Sequence, residues 1–412
     1  MSPSIWTRSR HGPASRLFKG MRLRIAALLW VLLAHGIPAP AASPVDGFDN
    51  TVLALALQAD GKVLVGGYFT SVGGLQRAGL ARLNSDGSVD GSFAPPIVAP
   101  GYVTSIALRA DAKIVVGGYF PDSGNAVMRL NADGSLDAYP SAQPDSAVSR
   151  LVNQTNDGVV IGGDFVNVDS HPYFHVARLK PDGSVDGTFS PVFATGDSDV
   201  ANIYDIELQS DGKILVAGHY QYAAGTLSNG LVRLQTDGTP DPDFNWPFAT
   251  GVYYPEVDRV LLTPTAGLLV AGPLYLTGYP SAVSLALLKS DGSLDTSLTP
   301  GYFGSMQALA RQSSGDFLIG GILVVDGNPN DVIYLARISP TGSVDFTFPT
   351  AVGTGPNNAV TAIAVQADDR LLVGGGFTQV GNKVRNHIAR LNANGSLDLT
   401  FTTTDRIFSN GF

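Results

Sequence analysis

The chain has 412 residues, a net charge of −9 from 26 Lys and Arg against 35 Asp and Glu, and no cysteine. An acidic surface repels phosphate backbones and anionic headgroups, which argues against nucleic acid and membrane surfaces as partners. Without cysteine no disulfide framework is possible, so the fold must rest on its apolar core.

The N-terminal stretch reads as a secretory signal peptide over residues 1–41. Arg22 and Arg24 precede the apolar run Ile25 to Leu33, and Ala39, Pro40, Ala41 and Ala42 supply the small residues of a cleavage site. The run is too short for a spanning helix of about 20 residues. Met21 offers an alternative start to Met1, with a more ordinary leader length. Cleavage removes six basic side chains and no acidic ones, leaving a mature net charge of −15. The expected setting is outside the cytoplasm, in the periplasm, the medium or at the cell surface, with no membrane insertion after cleavage.

From residue 42 onward the sequence repeats itself. A turn recurs as Asn84-Ser85-Asp86-Gly87, Asn131-Ala132-Asp133-Gly134, Lys180-Pro181-Asp182-Gly183 and Gln235-Thr236-Asp237-Gly238, then Lys289-Ser290-Asp291-Gly292, Ser339-Pro340-Thr341-Gly342 and Asn392-Ala393-Asn394-Gly395. Its glycines lie 47, 49, 55, 54, 50 and 53 residues apart. A second anchor, a glycine closing an apolar run, alternates with the turn at Gly67, Gly118, Gly163, Gly218, Gly272, Gly321 and Gly375.

Each repeat reads as four short strands. In the first, Val52 to Gln58 leads through an Asp-Gly turn into Lys62 to Gly67, followed by Leu80 to Asn84 and Ser88 to Phe93. Four-stranded units recurring radially are the blades of a propeller. A solenoid coil takes only about 20–30 residues, and a lone four-stranded sheet cannot bury both faces. The expectation is therefore an all-β, seven-bladed β-propeller of four antiparallel strands per blade. Residues 42–412 form one domain, with repeats 52–93, 103–140, 148–189, 203–244, 257–298, 306–348 and 360–401. The hairpin Gly395 to Phe401 is expected to supply the last outer strand, with residues 43–50 as a flanking strap, because local loop closure costs less entropy.

The recurring turn suits a type I turn closed by a left-handed glycine, pairing Asn84 with Ser88, Leu83 with Val89 and Arg82 with Asp90. The outer pair recurs as Arg129 with Asp137, Arg178 with Asp186, Arg233 with Asp241, Arg337 with Asp345 and Arg390 with Asp398, while the fifth copy has Leu287 opposite Asp295. Recurrence at equivalent places indicates scaffolding, with each pair expected to be exposed and worth about 0–1 kcal/mol. Calcium binding by Asp86 and Asp90 is the weaker alternative, since a site needs six to eight oxygens and an opposed arginine competes.

The pattern Gln58-Ala59-Asp60-Gly61-Lys62-Val63-Leu64-Val65-Gly66-Gly67, then Leu80-Ala81-Arg82-Leu83-Asn84, then Asp86-Gly87-Ser88-Val89-Asp90-Gly91-Ser92-Phe93, resembles the delta-60 repeat of bacterial secreted and cell-surface proteins. The resemblance implies a propeller module of undefined activity in an exported bacterial protein, and it brings no catalytic residues with it. Copies five and six depart most, with Pro264-Thr265-Ala266-Gly267 in place of the Asp-Gly turn and Leu287 in place of arginine.

No catalytic, cofactor or metal signature stands out. His171 and His175 are four apart but in a loop around Pro172, and zinc wants three or four ligands. Glu207, Arg259, Arg150 and Arg311 break the apolar pattern of the innermost strands. They keep open a hydrolase or lyase with its site in the central channel, since such constellations leave little local trace. The favoured reading is a binding or adhesion module for a glycan or protein ligand. Its expected site is the aromatic cluster Tyr220, Tyr222, Trp246, Tyr253, Tyr254, Tyr275, Tyr279 and Tyr302, which falls in neighbouring loops of copies four and five.

Overall fold

The chain divides into two compact units, Met1–Ser43 and Pro44–Phe412. The computed structural model describes residues 46–122, 124–137, 142–189, 191–194, 201–249, 256–298, 304–324, 332–345, 347–348 and 355–403, all in the second unit. The leader thus lies outside the described residues.

The second strand of each repeat explains the architecture. Val63–Gly67 is buried along its whole length, as are Val159–Gly163 and Leu371–Gly375. A strand covered on both faces reads as a continuous apolar run rather than an alternating one. In the first repeat it pairs antiparallel with Val52–Leu57 on one side and Leu80–Leu83 on the other. The same three-stranded order recurs in every later repeat, as in Tyr102–Leu108, Ile114–Phe120 and Asn125–Leu130. The result is an all-β structure of many small antiparallel sheets in a propeller-like arrangement.

The expected fourth strand is shorter than the alternation of Ser88 to Phe93 suggests. It contributes one bridge per repeat, Leu83 to Val89 in the first and Leu391 to Leu397 in the last. The chain curls away at once because Asp90 Oδ1 accepts from Ser92 N and Oγ, at 3.1 and 2.6 Å, closing a side-chain turn where a ladder would otherwise continue. Small hairpins appear where the sequence suggests plain loops: Ser71–Val72 with Leu75–Gln76, Asn167–Val168 with His171–Pro172, and Gln379–Val380 with Lys383–Val384.

First strands touch in succession from Val52–Leu57 through Tyr102–Leu108, Val148–Asn153, Asn202–Leu208, Arg259–Leu262, Gly304–Arg311 and Val360–Val365, and the last of these also touches Val52–Leu57. Core clusters lie between consecutive sheets. Leu64, Leu80 and Phe93 of repeat one pack with Val103, Ile114 and Val116 of repeat two, and Leu372, Ile388 and Phe401 of repeat seven pack with Val63, Val65 and Ala81 of repeat one. The glycine doublets make this packing possible. A Cβ on Gly66 would stand 2.7 Å from Val103 Cγ1 of the next repeat. Residues 47 and 48 bridge Asn386 and Val72, so this segment straps repeat seven to repeat one, while the last hairpin keeps its own bridge.

The Arg–Asp pairs join repeats, and contrary to the expectation of exposed pairs three of them are buried, Arg82–Asp90, Arg233–Asp241 and Arg390–Asp398, while the other three are half-buried. Arg82 and Asp90 are 8% and 7% exposed. Arg82 Nε donates to Asp90 Oδ2 at 2.8 Å, while Nη1 crosses to the carbonyl of Ala132, the second turn residue of repeat two. Arg129, Arg178, Arg233 and Arg337 reach Pro181, Thr236, Ser290 and Ala393 in the same way, and Arg390 reaches Ser85. The guanidinium also lies over an aromatic ring, Phe93 for Arg82 at 4.6 Å and Phe401 for Arg390 at 4.9 Å. Turn glycines complete the joint: Gly87 has φ 95°, and a Cβ there would meet Phe401 Cδ2 at 3.0 Å. The pair is buried because the next repeat's turn closes over it, a contact that no sequence within one repeat reveals.

Candidate functional site in the central channel

Residues of all seven first strands line a shared cavity, called the channel below, and one column of them faces it. That column reads Ala54, Ser105, Arg150, Asp205, Arg259, Ala308 and Ala362, each opposite the same position of its second strand. Adjacent repeats three, four and five therefore place cation, anion and cation side by side. Arg150 Nε lies 3.0 Å from Asp205 Oδ1, and Asp205 Oδ2 accepts from Val260 N at 3.0 Å. Arg259 donates through Nε to Gln307 O at 2.7 Å and through Nη1 to Tyr204 O at 3.3 Å.

Two cavities share Arg150 and Arg259. One, of about 210 Å3, holds Asp205 and Glu207; the other, of about 380 Å3, holds Tyr68, Thr104, Tyr204, Glu256 and Asp258. Glu207 keeps some surface on the channel yet is enclosed by its walls. That desolvation, then the charge of Asp205, raises its carboxyl far above the usual range, and Arg150 only partly offsets this. Asp258 is raised to about 7 by burial first and then by Glu256, against the pull of Arg259. Burial lowers Arg259 to about 10, so it stays a cation at neutral pH, and burial with Glu256 and Asp258 raises Tyr204 to about 12. The two cavities therefore offer carboxyls whose affinity for a proton is raised, further carboxyl oxygens as acceptors, and the two guanidinium forks that they share.

An aromatic ladder stands on repeats one and two. The rings of Tyr68 and Tyr102 are 4.8 Å apart, nearly edge to face, and those of Tyr102 and Tyr119 are 5.7 Å apart. Tyr68 and Tyr119 are exposed, and Tyr68 lines the larger channel cavity. Each directly follows a glycine doublet, Gly66-Gly67 and Gly117-Gly118, a signal that was present in the sequence.

The expected aromatic cluster on repeats four and five is only partly assembled. Tyr220 is wholly buried and donates to Val216 O at 2.5 Å; its ring fills the core edge-on to Phe193. Trp246 is 8% exposed, donating its indole N–H to Asn229 O, and Tyr279 packs on the same core. Tyr222 and Tyr275 are exposed, whereas Tyr253, Tyr254 and Tyr302 lie outside the described residues. Of the four pattern-breaking charges, Arg150, Glu207 and Arg259 meet in the channel, but Arg311 lines a separate cleft. His171 is exposed while His175 is buried with Nδ1 3.2 Å from Gly163 O, so the two do not face one site. Among the described residues no group of three or more His, Asp or Glu side chains is placed to hold a metal ion, and no helix is long and apolar enough to cross a membrane.

Five stretches, 58–93, 109–138, 155–189, 209–244 and 366–401, match a family profile described as a domain of unknown function (DUF5122) beta-propeller. None of the curated proteins matches the sequence. Among solved structures, the chain is similar to the extracellular domain of BT4673 from B. thetaiotaomicron, at 15% identity and a TM-score of 0.53 over 84% of this chain. It spans only 39% of that longer chain. It is also similar to the WD40 beta propeller domain of Doa1, at 14% identity and a TM-score of 0.51, covering 81% of this chain and 92% of that one. These likenesses are of fold: the chain is of the β-propeller type.

Proposed function

We propose that the protein is a secreted or cell-surface bacterial binding module, a closed seven-bladed propeller of the delta-60 repeat kind, whose channel mouth takes a glycan. The leader pattern of Arg22 to Ala42 and the extracellular setting of the BT4673 domain support the location. The recurring arginine joint, running from Arg82 to Ala132 and finally from Arg390 to Ser85, supports the ring.

The observation that carries the ligand assignment is the 380 Å3 cavity whose lining includes Tyr68, Arg150, Asp258 and Arg259. Sugars present apolar ring faces and rims of hydroxyls. A tyrosine face covers the first, and paired carboxyl and guanidinium groups satisfy the second as donors and acceptors at once. Tyr222 and Tyr275, exposed on repeats four and five, are proposed as further contacts for longer chains or a protein ligand. The test is an array of bacterial and host glycans probed with the mature protein and with Tyr68→Ala. Capture of a defined glycan class that weakens at least tenfold in the variant supports the reading; capture of none, or capture indifferent to Tyr68, overturns it.

One observation favours a second reading, a hydrolase or lyase acting in the channel. Asp205 is paired with a cation while Glu207 is held protonated nearby, the division of labour that general acid–base catalysis uses. Release of reducing ends or unsaturated products from a bound glycan, abolished by Glu207→Gln, would select this reading over simple binding.

A further inference from the structure

The joint between repeats five and six lacks the cation that the other six joints contain. Leu287 stands where the others have arginine, and Leu298 stands where Phe93, Phe189, Phe244, Phe348 and Phe401 lie under a guanidinium. A second cation is missing too. Lys62, Lys113, Lys213 and Arg370 reach the equivalent aspartates of their own repeats, but repeat five has Gly267 at that place.

The acceptors of the joint are nevertheless retained. Asp295 keeps its side-chain turn, Oδ1 accepting from Ser297 N at 2.9 Å, and makes no ion pair among the described residues. Pro340 is the second turn residue of repeat six, the position whose carbonyl takes the arginine Nη1 in every other joint. Between them opens a cleft of about 470 Å3, lined by Leu287, Lys289, Asp295, Arg311, Phe317 and Pro340. That volume is in the range of small-molecule sites.

We propose that this cleft binds the guanidinium group of an arginine supplied from outside the chain. Asp295 and the Pro340 carbonyl accept its N–H groups as they do internally elsewhere, and Leu287 with Phe317 covers its aliphatic stem. A planar charged fork spans both acceptors at once, whereas an ammonium offers only a point charge to the aspartate and a neutral urea donates without charge assistance. Lys289 and Arg311 in the same lining disfavour a bare polycation and favour a guanidinium accompanied by a free carboxylate. The ligand is therefore arginine itself or a polypeptide ending in arginine. The site shares no lining residue with the channel cavities, so it stands or falls independently of the glycan reading.

Calorimetric titration of the mature protein with L-arginine, L-citrulline, L-lysine and Gly-Gly-Arg tests the proposal. Arginine or Gly-Gly-Arg should bind saturably and at least tenfold tighter than citrulline or lysine. Stronger binding of Gly-Gly-Arg assigns the site to polypeptide ends, and stronger binding of arginine assigns it to the free amino acid. Asp295→Asn should weaken binding at least tenfold. Leu287→Arg, which supplies the guanidinium from within, should abolish it and raise Tm. Arginine binding no tighter than citrulline, or binding that survives both substitutions, would overturn the proposal.

Discussion

Arg390 donates through Nη1 to the carbonyl of Ser85 at 2.6 Å, although the two residues are 305 positions apart. Arg82 makes the same bond to Ala132 one repeat onward, at 2.5 Å. A contact that is local in the repeat frame thus becomes a long-range contact of the chain when it joins the last repeat to the first, beside Thr403 with Asp46 and Thr361 with Val52. Because the pair is buried, removing the cation leaves Asp398 enclosed with only the more exposed Arg370, at 3.2 Å, to offset its charge. Arg390→Leu should cost about 3 kcal/mol in urea unfolding. Asp398→Asn in the same background should recover part of that loss. A cost below about 0.5 kcal/mol would mean that the joint contributes no more than an exposed pair.

Acid stability follows from the same joints. Burial opposes ionisation of Asp90 and Asp398, but hydrogen bonds from Lys62, Ser92 and Arg82 in one case, and from Thr400 and Arg390 in the other, hold both carboxyls far below the usual range. Hydrogen bonds from Thr347 and Arg337 lower Asp345 to about 2. A carboxyl lowered on folding contributes stability that is complete above its unfolded pKa near 4 and is lost as pH falls through the folded value. Unfolding midpoints should therefore fall steeply below pH 4. Arg390→Leu should flatten that limb, and an unchanged limb would contradict the assignment.

The channel works in the opposite direction. Asp258, raised to about 7, binds its proton more tightly folded than unfolded. Its contribution is therefore full below pH 4 and is lost as pH rises towards 7. Asp258→Asn should raise stability at pH 8 and leave it little changed at pH 4, as differential scanning calorimetry at the two pH values would show. Equal effects at both would mean that Asp258 titrates normally.

Close approach of neighbouring sheets is the next target. Gly66→Ala would drive a methyl group to 2.7 Å from Val103 Cγ1. Such overpacking should cost about 1–3 kcal/mol. Val103→Ala should relieve part of it in the double variant, measured by the same urea series. An additive double variant would place the strain elsewhere.

How far the sequence carries depends on the kind of residue involved. Gly87 and Gly66 are legible because a left-handed turn and a close approach each admit little besides glycine. The pairing of Arg82 with Asp90 follows from turn chemistry, but its burial does not, since the covering carbonyl of Ala132 belongs to another repeat. The channel site was visible only in fragments. Glu207 and Arg259 stand out as breaks in apolar strands, whereas Asp205 gains meaning only when the same column is read across repeats as Arg150, Asp205 and Arg259. Tyr220 and Trp246 lie in aromatic-rich loops, yet the core absorbs them, whereas Tyr68 and Tyr119 are exposed and set in place by the glycine doublets before them.

On the proposed binding role, ligand enters the cavity lined by Tyr68, Arg150, Asp258 and Arg259. The most direct measurement is the calorimetric isotherm of the glycan selected on the array, taken for the mature protein, Tyr68→Ala and Glu207→Gln at pH 7. Tyr68→Ala should weaken binding at least tenfold, and Glu207→Gln, which keeps a donor where the protonated carboxyl stood, should change it less than threefold. Affinity unchanged by Tyr68→Ala, with the glycan instead lost on substitution of Tyr222 or Tyr275, would contradict the account and move the site to the exposed tyrosines of repeats four and five.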